Sequence, residues 1–501
     1  MNMRKFAVAA LAGAATAAAA QQPFNLDPTF RTNIMGNFVL SIAPMVDGTI
    51  LLSGAIKLPN YPLFPLGLAK IQSNGSLINS YLGPGGGIGI VPWQDKFYVY
   101  GGIPYRLLAD GQQDTTFKRN EICTGLYYTP EQAGDYHVFP DGRVVLCGTY
   151  GIGLNCEILG SYGLVWVTNT GLVDTTRTPR TSTYSIYKIK ALPDGKFICY
   201  TPSAGLYEGT QTERIFRIEA DGALDTTFHA PHFQYGWVNS FLPLANGKTL
   251  VAGRFILAGI ADTLSWVRLM PDGQIDLSFN NTMSFNLSYF SYYADPAVTS
   301  FLPIGEDKLI VTGGFDAVDG DTRGGIALID TAGNLLADFF TGNGCGIFPG
   351  ADDEPWAANK QINGITPAPD GSYYIYGAYK GYDDGTTNDP LQGFVSRLYG
   401  FNVGISEQDQ FKPQPLTIAP NPTAGSALFS VEQPLQNAQL TLHDASGRVA
   451  LQMAWPAGSA QCRVQAGAVA PGAYVATVAL SASATVATNT PQYSGRLVVL
   501  P

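Results

Sequence analysis

Apolar and polar positions alternate in short runs along most of the chain, and the runs come in pairs around a two-residue turn. LPDGKFICY at Leu192, LANGKTLVAGRF at Leu244 and VRLMPDGQIDLSF at Val267 show the pattern. Asp-Gly and Asn-Gly between alternating apolar runs predict tight β-hairpins, because both central residues must adopt positive φ. The first such turn of each unit falls at Asp47-Gly48, Gln94-Asp95, Asp141-Gly142, Asp194-Gly195, Asn246-Gly247, Glu306-Asp307 and Asp370-Gly371, at intervals of 47, 47, 53, 52, 60 and 64 residues. A second hairpin follows in each unit, so each unit predicts a four-stranded antiparallel sheet. No long stretch carries helical periodicity.

A phrase recurs with the units. Its clearest copies are Leu26 to Phe30 (LDPTF), Leu224 to Phe228 (LDTTF) and Ile275 to Phe279 (IDLSF), with degenerate copies at Asn79 to Tyr81, Asp114 to Phe117, Asp174 to Thr176 and Asp338 to Phe339. Repeated units of short strands must bury their faces against one another, and seven four-stranded sheets fit a β-propeller. The first copy precedes any complete unit, while the last unit, ending near Phe394 to Gly400, has none. The N-terminal strand is therefore expected to complete the seventh blade and remove the ring's open edges. Asp114, Asp225 and Asp276 are placed to accept hydrogen bonds from backbone N–H groups just ahead, and Phe117, Phe228 and Phe279 to pack between blades. Carboxylates spread around a ring do not converge as a catalytic pair must.

These residues resemble the delta-60 repeat family, whose units read approximately PDGKILVGGDF followed by RLNADGSLDTSF. Here LPDGKFICY, LANGKTLVAGRF and RIEADGALDTTF at Arg217 are similar, and the resemblance runs over residues 24 to 402. It implies a propeller-like fold and little chemistry. The expected fold is all-β, with a seven-bladed β-propeller over residues 21–401.

Composition agrees: 57 Gly, 33 Pro, 26 Tyr and 26 Phe with 14% charged residues suit turn-rich, aromatic-filled sheets. Arg4 and Lys5 precede an apolar run from Phe6 through Ala20, the layout of a signal peptide over residues 1–20 with cleavage after Ala20. Losing those two cations moves the formal net charge from -10 to -12. An acidic exported chain argues against nucleic acid as a partner. Nothing later supplies the ~20 apolar residues of a transmembrane span. The expected location is secreted or at the cell surface, reached through the periplasm.

In such sheets the first and third turns lie at one end, and the second turn and inter-blade segments at the other, where function concentrates on irregular loops. Asn280 to Val298 offers Tyr289, Phe290, Tyr292 and Tyr293 together with Phe285; Thr341 to Thr366 offers Asp352, Asp353, Glu354 and Trp356; His229 to Trp237 adds His232 and Tyr235. Rings beside carboxylates suit sugar binding; equally, the rings would cover the open face. His229 and His232 lack a third metal ligand. Asp316, Asp319 and Asp321, or Asp383 with Asp384, resemble a calcium loop only loosely, and no cofactor is expected. No nucleophile elbow, zinc-protease motif or phosphate-binding glycine loop is present. The residues point to a non-catalytic module binding glycan or protein; the alternative is a secreted hydrolase or lyase acting on polysaccharide through loops of the same face. Of six cysteines, Cys147 and Cys199 read as buried thiols, and Cys123 and Cys156, both on the long-loop face, are candidates for a disulfide.

After Gly400 a polar stretch, residues 402–415, reads as a linker, and residues 416–501 as a small immunoglobulin-like β-sandwich. APNPTAG at Ala419, LHDASGRVA at Leu442, APGAYVATV at Ala470 and the terminal GRLVVLP occur in the order seen in the type A C-terminal sorting domain of the Bacteroidetes type IX secretion system, which the segment resembles. Asn421, Pro422, Gly447, Arg448, Gly472 and Tyr474 carry the motifs. The resemblance implies passage through the outer membrane, with the secretion machinery and its sorting peptidase as partners.

Overall fold

The computed structural model describes residues 23–45, 47–59, 61–78, 89–118, 122–288, 296–350, 359–400, 414–436, 438–444, 449–480 and 491–500. The chain divides into two compact units, Met1–Gly404 and Ile405–Pro501. Among the described residues it is all-β, with no α-helix, and no helix is long and apolar enough to cross a membrane.

Seven antiparallel sheets follow one another along the described residues of the first unit, each with its three main strands in chain order. They comprise Gly36–Pro44, Ile50–Leu58 and Tyr61–Ile71; Gly89–Trp93, Lys96–Tyr100 and Pro104–Leu107; Leu126–Val138, Val144–Leu154 and Glu157–Val167; Lys188–Ala191, Phe197–Tyr200 and Ile215–Ile218; Phe233–Pro243, Thr249–Leu257 and Leu264–Leu269; Val298–Ile304, Lys308–Gly313 and Ile326–Asp330; and Gln361–Pro367, Tyr373–Asp383 and Asn388–Leu398. Hairpins join the first and second strands at the expected Asp-Gly positions, but only the glycine of each pair takes positive φ, between 79° and 85° at Gly48, Gly142, Gly195, Gly247 and Gly371, where a Cβ would be strained. Leu192 N bonds Lys196 O and Gly195 N bonds Leu192 O, so the turn holds three residues and its aspartate needs no positive φ.

The expected fourth strand shrinks to one bridge per sheet: Ile71 with Leu77, Leu107 with Gln113, Val167 with Val173, Ile218 with Leu224, Leu269 with Ile275 and Ile329 with Leu335. In the sheets that carry it, the recurrent aspartate turns the chain away after the bridge. The amides of Asp114, Asp225 and Asp276 still bond the carbonyls of Arg106, Arg217 and Arg268, at 2.8, 2.9 and 2.8 Å. Two residues on, the amides of Thr116, Thr227 and Ser278 turn back to the same aspartates' Oδ1, at 3.0, 2.9 and 3.0 Å, so pairing ends. The residue after each Phe crosses to the next sheet, as His229 N to Asp272 O (2.7 Å) and Asn280 N to Ala332 O (2.8 Å).

Two degenerate copies shift in register. In the sixth sheet Leu336, not Asp338, donates its amide to Leu328 O (2.9 Å), so an apolar residue holds the aspartate's place and the copy loses its carboxylate. In the first sheet Ile78 takes that place, bonding Lys70 O (3.0 Å); Asn79 to Tyr81 lie outside the described residues.

For the seventh sheet the partner comes from the other end of the unit. Leu26 bridges Leu398, Asp27 N donates to Arg397 O at 2.8 Å and Phe24 N to Tyr399 O at 2.8 Å. Leu26, Asp27 and Phe30 are buried. Phe30, Val39 and Ile42 share one apolar cluster with Tyr374, Phe394 and Val395, so the first sheet packs on the seventh. Bulges in the innermost strands aim polar side chains at the neighbouring sheet: Asn239 Nδ2 donates to Val298 O (2.9 Å), Thr299 Oγ1 to Ile362 O (2.8 Å) and Asn363 Nδ2 to Val39 O (2.8 Å). The spaces between sheets are filled by rings; Tyr98, Phe117, Tyr128 and Tyr150 occupy that between the second and third.

The second unit has a five-stranded and a three-stranded sheet, the former including Ala438–His443, Gly472–Leu480 and Pro491–Val499, the latter Ser426–Leu435 and Ser459–Gln465. Phe429, Cys462 and Val464 from one sheet and Leu440, Leu442, Ala476 and Leu497 from the other form one core closed by Trp455. Gln414–Pro415 pairs in parallel with Tyr493–Ser494.

Candidate functional site

The recurrent carboxylates sit in a repeated ionic knot. Arg106, Arg217 and Arg268 donate Nε to Oδ2 of Asp114, Asp225 and Asp276 at 2.7, 2.6 and 2.6 Å. Lys96, Lys196 and Lys248, each just after a first turn, reach the same oxygens at 2.8 Å. Each guanidinium also bridges to the next sheet, donating to Asn169 O, Pro271 O and Thr331 O. Burial alone would push these carboxyls up; the hydrogen bonds from lysine, arginine and the Thr or Ser hydroxyl outweigh it and hold all three well below the usual carboxylate range. In the seventh sheet Arg397 bonds Asp27, carried in from the N-terminus, at 2.8 Å. Saturated, buried carboxylates of this kind are scaffold.

The sequence-predicted residues Tyr289, Phe290, Tyr292, Tyr293, Asp352, Asp353, Glu354 and Trp356 lie outside the described residues. Phe285, from the same segment, is buried between Trp266 (5.2 Å) and Phe315 (5.1 Å) and belongs to the core. At the long-loop end of the seventh sheet lies an open hollow of about 710 Å³, lined by Asn343, Ile347, Lys360, Lys380, Asp383 and Asn388. A second hollow of about 330 Å³, lined by Met35, Phe348, Leu391 and Phe394, shares Lys380 and Pro349 with it. Asp383 accepts from Gly385 N (2.9 Å) and Asn343 Nδ2 (2.5 Å), and these bonds hold its carboxyl below the usual range against the opposing effect of burial. Lys360 and Lys380 escaped the sequence reading, because Lys360 ends the segment before the seventh sheet while Lys380 lies in that sheet's second strand, and only the fold brings them to one hollow.

A further hollow of about 360 Å³ is lined by innermost strands of the first four sheets and contains Asp135, His137 and Lys190. His137 packs edge-on against Phe139 and Phe197; burial first, then the Lys190 charge, push its imidazole down to about 4.

The carboxylates considered for calcium bond protein groups. Asp316 Oδ2 accepts from Ser288 N at 2.9 Å, Asp319 Oδ1 from Ser284 N at 2.7 Å, and Asp384 Oδ2 from Leu26 N at 2.6 Å. No cluster of metal-ligating side chains occurs among the described residues. His232 Nδ1 meets Glu213 at 2.9 Å, and His229 engages the next sheet through its backbone. Cys123 and Cys156 are joined in a disulfide with Cα atoms 4.1 Å apart, tying the segment before the third sheet to that sheet's second turn. Cys147, Cys199, Cys345 and Cys462 are buried free thiols, and burial pushes the Cys345 thiol up to about 12.

In the second unit Asn421 Oδ1 accepts from Val498 N at 2.9 Å, and Thr423 N donates to Val498 O at 2.9 Å. Gly472 pairs with Val499 and Tyr474 with Leu497, and Tyr474 OH donates to Ala470 O at 2.6 Å. Three of the four motifs thus meet along the terminal strand; Gly447 and Arg448 lie outside the described residues.

A family model described as "Domain of unknown function (DUF5122) beta-propeller" matches residues 203–228 and 244–279. The chain carries β-propeller sequence there. The matched residues form the latter part of the fourth sheet and the turns, second and third strands and knot of the fifth. Among solved structures, the chain is similar to the extracellular domain of a protein described as a hybrid two-component system from B. thetaiotaomicron, at 12% identity over 96% of this chain and 59% of that one, with a TM-score of 0.40. It is also similar to PorZ, a bacterial surface component of the type-IX secretion system of Porphyromonas gingivalis, at 12% identity over 93% of this chain and 66% of that one, with a TM-score of 0.33. BamB from Moraxella catarrhalis matches at 8% identity over 72% and 85%, with a TM-score of 0.29. The chain spans less than two thirds of the length of the first two. No curated protein matches the sequence significantly.

Proposed function

We propose that residues 21–401 form a seven-bladed β-propeller acting as a non-catalytic binding module for glycan or protein at the cell surface or outside the cell. Residues 1–20 serve as its signal peptide. The observation that carries the binding role is the state of the repeated carboxylates: each strong knot is spent on holding neighbouring sheets together, while at the opposite end Asn343, Lys380 and Asn388 stand exposed around an open hollow. The seven sheets and the Leu26–Leu398 bridge support the blade count. The hollow around Lys360, Lys380, Asn343 and Asp383 offers donors and acceptors beside an apolar wall, the mixture that sugar hydroxyls and ring faces require. Full-length protein on a glycan and protein array should show selective binding that Lys380→Ala with Asn388→Ala weakens; undiminished binding by the double variant removes this hollow as the contact.

Residues 416–501 act, in this reading, as an immunoglobulin-like sorting domain that delivers the propeller through the outer membrane by the type IX machinery, with a sorting peptidase as the second partner. The support is the convergence of Asn421, Gly472 and Tyr474 on the terminal strand, which brings motifs distant in sequence side by side. Deleting residues 416–501 should retain the protein in the periplasm, and normal surface delivery of that deletion would defeat the assignment.

A further inference from the structure

A half-open hollow of about 300 Å³ lies at the Asp-Gly end of the first unit, between the fifth and sixth sheets. Its walls are mostly apolar, from Leu242, Leu250, Pro303 and Leu309, with Arg268 and Phe279, and Glu306, Lys308 and Asp330 also line it. Arg268 lies over the Phe279 ring at 4.5 Å and is tied at its edge to Asp276 and Thr331 O.

The matching space between the second and third sheets is filled. Arg106 corresponds to Arg268: it lies over Phe117 at 5.1 Å, bonds Asp114 and reaches Asn169 O in the same way. Its guanidinium also has the indole of Trp93, at 5.2 Å. Trp93 faces Lys96 across its sheet's first turn, the place held in the fifth sheet by Leu244, which faces Lys248 and lines the hollow. The indole Nε1 donates to Pro140 O at 3.0 Å, and its ring packs so closely on Gly142 that a Cβ there would meet it at 2.6 Å. Pro140 immediately precedes the next sheet's turn, as Gly305 does in the sixth. Tyr98, paired with Arg106, is replaced by Leu250, paired with Arg268. Trp and Tyr in one interface become two leucines in the other, and the hollow is what the rings leave behind. One repeat therefore displays the occupant that another lacks.

We propose that the hollow between the fifth and sixth sheets binds a small planar aromatic molecule carrying an N–H donor, of the indole type, seated against Arg268 with its N–H directed to the Gly305 carbonyl. A guanidinium already neutralised at its edge by Asp276 still offers its face to a ring, and the leucine walls favour removing that ring from water. The volume suits a one- or two-ring ligand. This site lies at the opposite end of the sheets from the hollow around Lys380, so the two stand or fall separately.

The test uses full-length protein with free indole and N-acetyltryptophanamide as probes, read by saturation-transfer NMR and by thermal shift. Saturable binding of indole is expected, with affinity lost at least about tenfold in Leu244→Trp, which fills the hollow from within as Trp93 fills the matching space. Trp93→Ala should open the matching space, add a second indole site and have its lowered melting temperature partly restored by indole. Binding by N-acetyltryptophanamide as strong as by indole would point instead to a protein side chain as the occupant and overturn the small-molecule assignment. Unchanged indole binding in Leu244→Trp, or no saturable binding by the unaltered protein at concentrations that stabilise Trp93→Ala, would overturn the site itself.

Discussion

Replacing Asp276 with alanine removes the acceptor of four hydrogen bonds: from Arg268 Nε at 2.6 Å, Lys248 Nζ at 2.8 Å, and the amide and hydroxyl of Ser278 at 3.0 and 2.6 Å. Arg268 is buried and stays charged, so it is left with neutral acceptors only. Removing one member of a buried ion pair costs about 3–5 kcal/mol, and that is the expected loss of stability. The third sheet provides an internal comparison. There Trp166 stands where the arginine would be, and the cation facing Asp174 is Arg143 at 3.8 Å. Asp174→Ala loses chiefly the two bonds from Thr176, at 3.0 and 2.6 Å, worth about 1–3 kcal/mol at roughly 0.5–1.5 kcal/mol each. Urea unfolding of the full-length protein, followed by both fluorescence and far-ultraviolet circular dichroism to separate the transitions of the two units, gives the two losses. Exchanging Arg268 for methionine in the Asp276→Ala background should recover part of the larger one, because the stranded charge is then gone. Equal losses for the two single variants would refute the ionic knot as the main contribution and leave only the turn.

Acid should unfold the protein in two stages. The folded state holds His137 neutral, so an unfolded chain takes up that proton first, and stability falls as pH drops from about 6.5 towards 4; His137→Gln should remove this stage alone. Asp114, Asp225 and Asp276 are held below the usual range, so their contribution is complete above about pH 4 and fades below it. Melting temperature against pH checks both, and a flat profile from pH 7 to 4.5 would contradict the first. Reduction of the Cys123–Cys156 disulfide, which spans 33 residues, should lower stability by about 3–4 kcal/mol on the chain-entropy account, and the Cys123→Ser/Cys156→Ser protein should be insensitive to reductant. Deleting residues 23–30 removes buried Leu26, Asp27 and Phe30 from the seventh sheet, and soluble expression should collapse; a stable, cooperatively melting product would contradict the closure.

Much of this frame was legible in the chain. Asp-Gly and Asn-Gly signal hairpins through backbone sterics alone, and the unmatched first phrase at Leu26 pointed to the incomplete last unit. The turn made by Asp114, Asp225 and Asp276 was equally readable, since a carboxylate two residues before an amide needs no tertiary information. The arginine knot was missed although a trace existed: Arg106, Arg217 and Arg268 each stand eight residues before their aspartates. Spacing of that kind gains meaning only when the third strand folds back beside the phrase and the lysine after the first turn arrives from another strand. The misplaced copy at Asp338 has the same origin, for Leu336 is identified by its bond to Leu328 and by nothing in its residue type.

The sequence by itself determined the all-β class, the period of the units, the place of each first hairpin and the N-terminal strand's destination, because turns and alternation are local properties of a few adjacent residues. The tertiary structure alone decided that the fourth strand is a single bridge, which carboxylates are spent on scaffolding, and where rings fail to fill the space between sheets. Those outcomes depend on which side chains from distant strands meet, and Leu244 differs from Trp93 in consequence only once both are seen beside an arginine at the same gap.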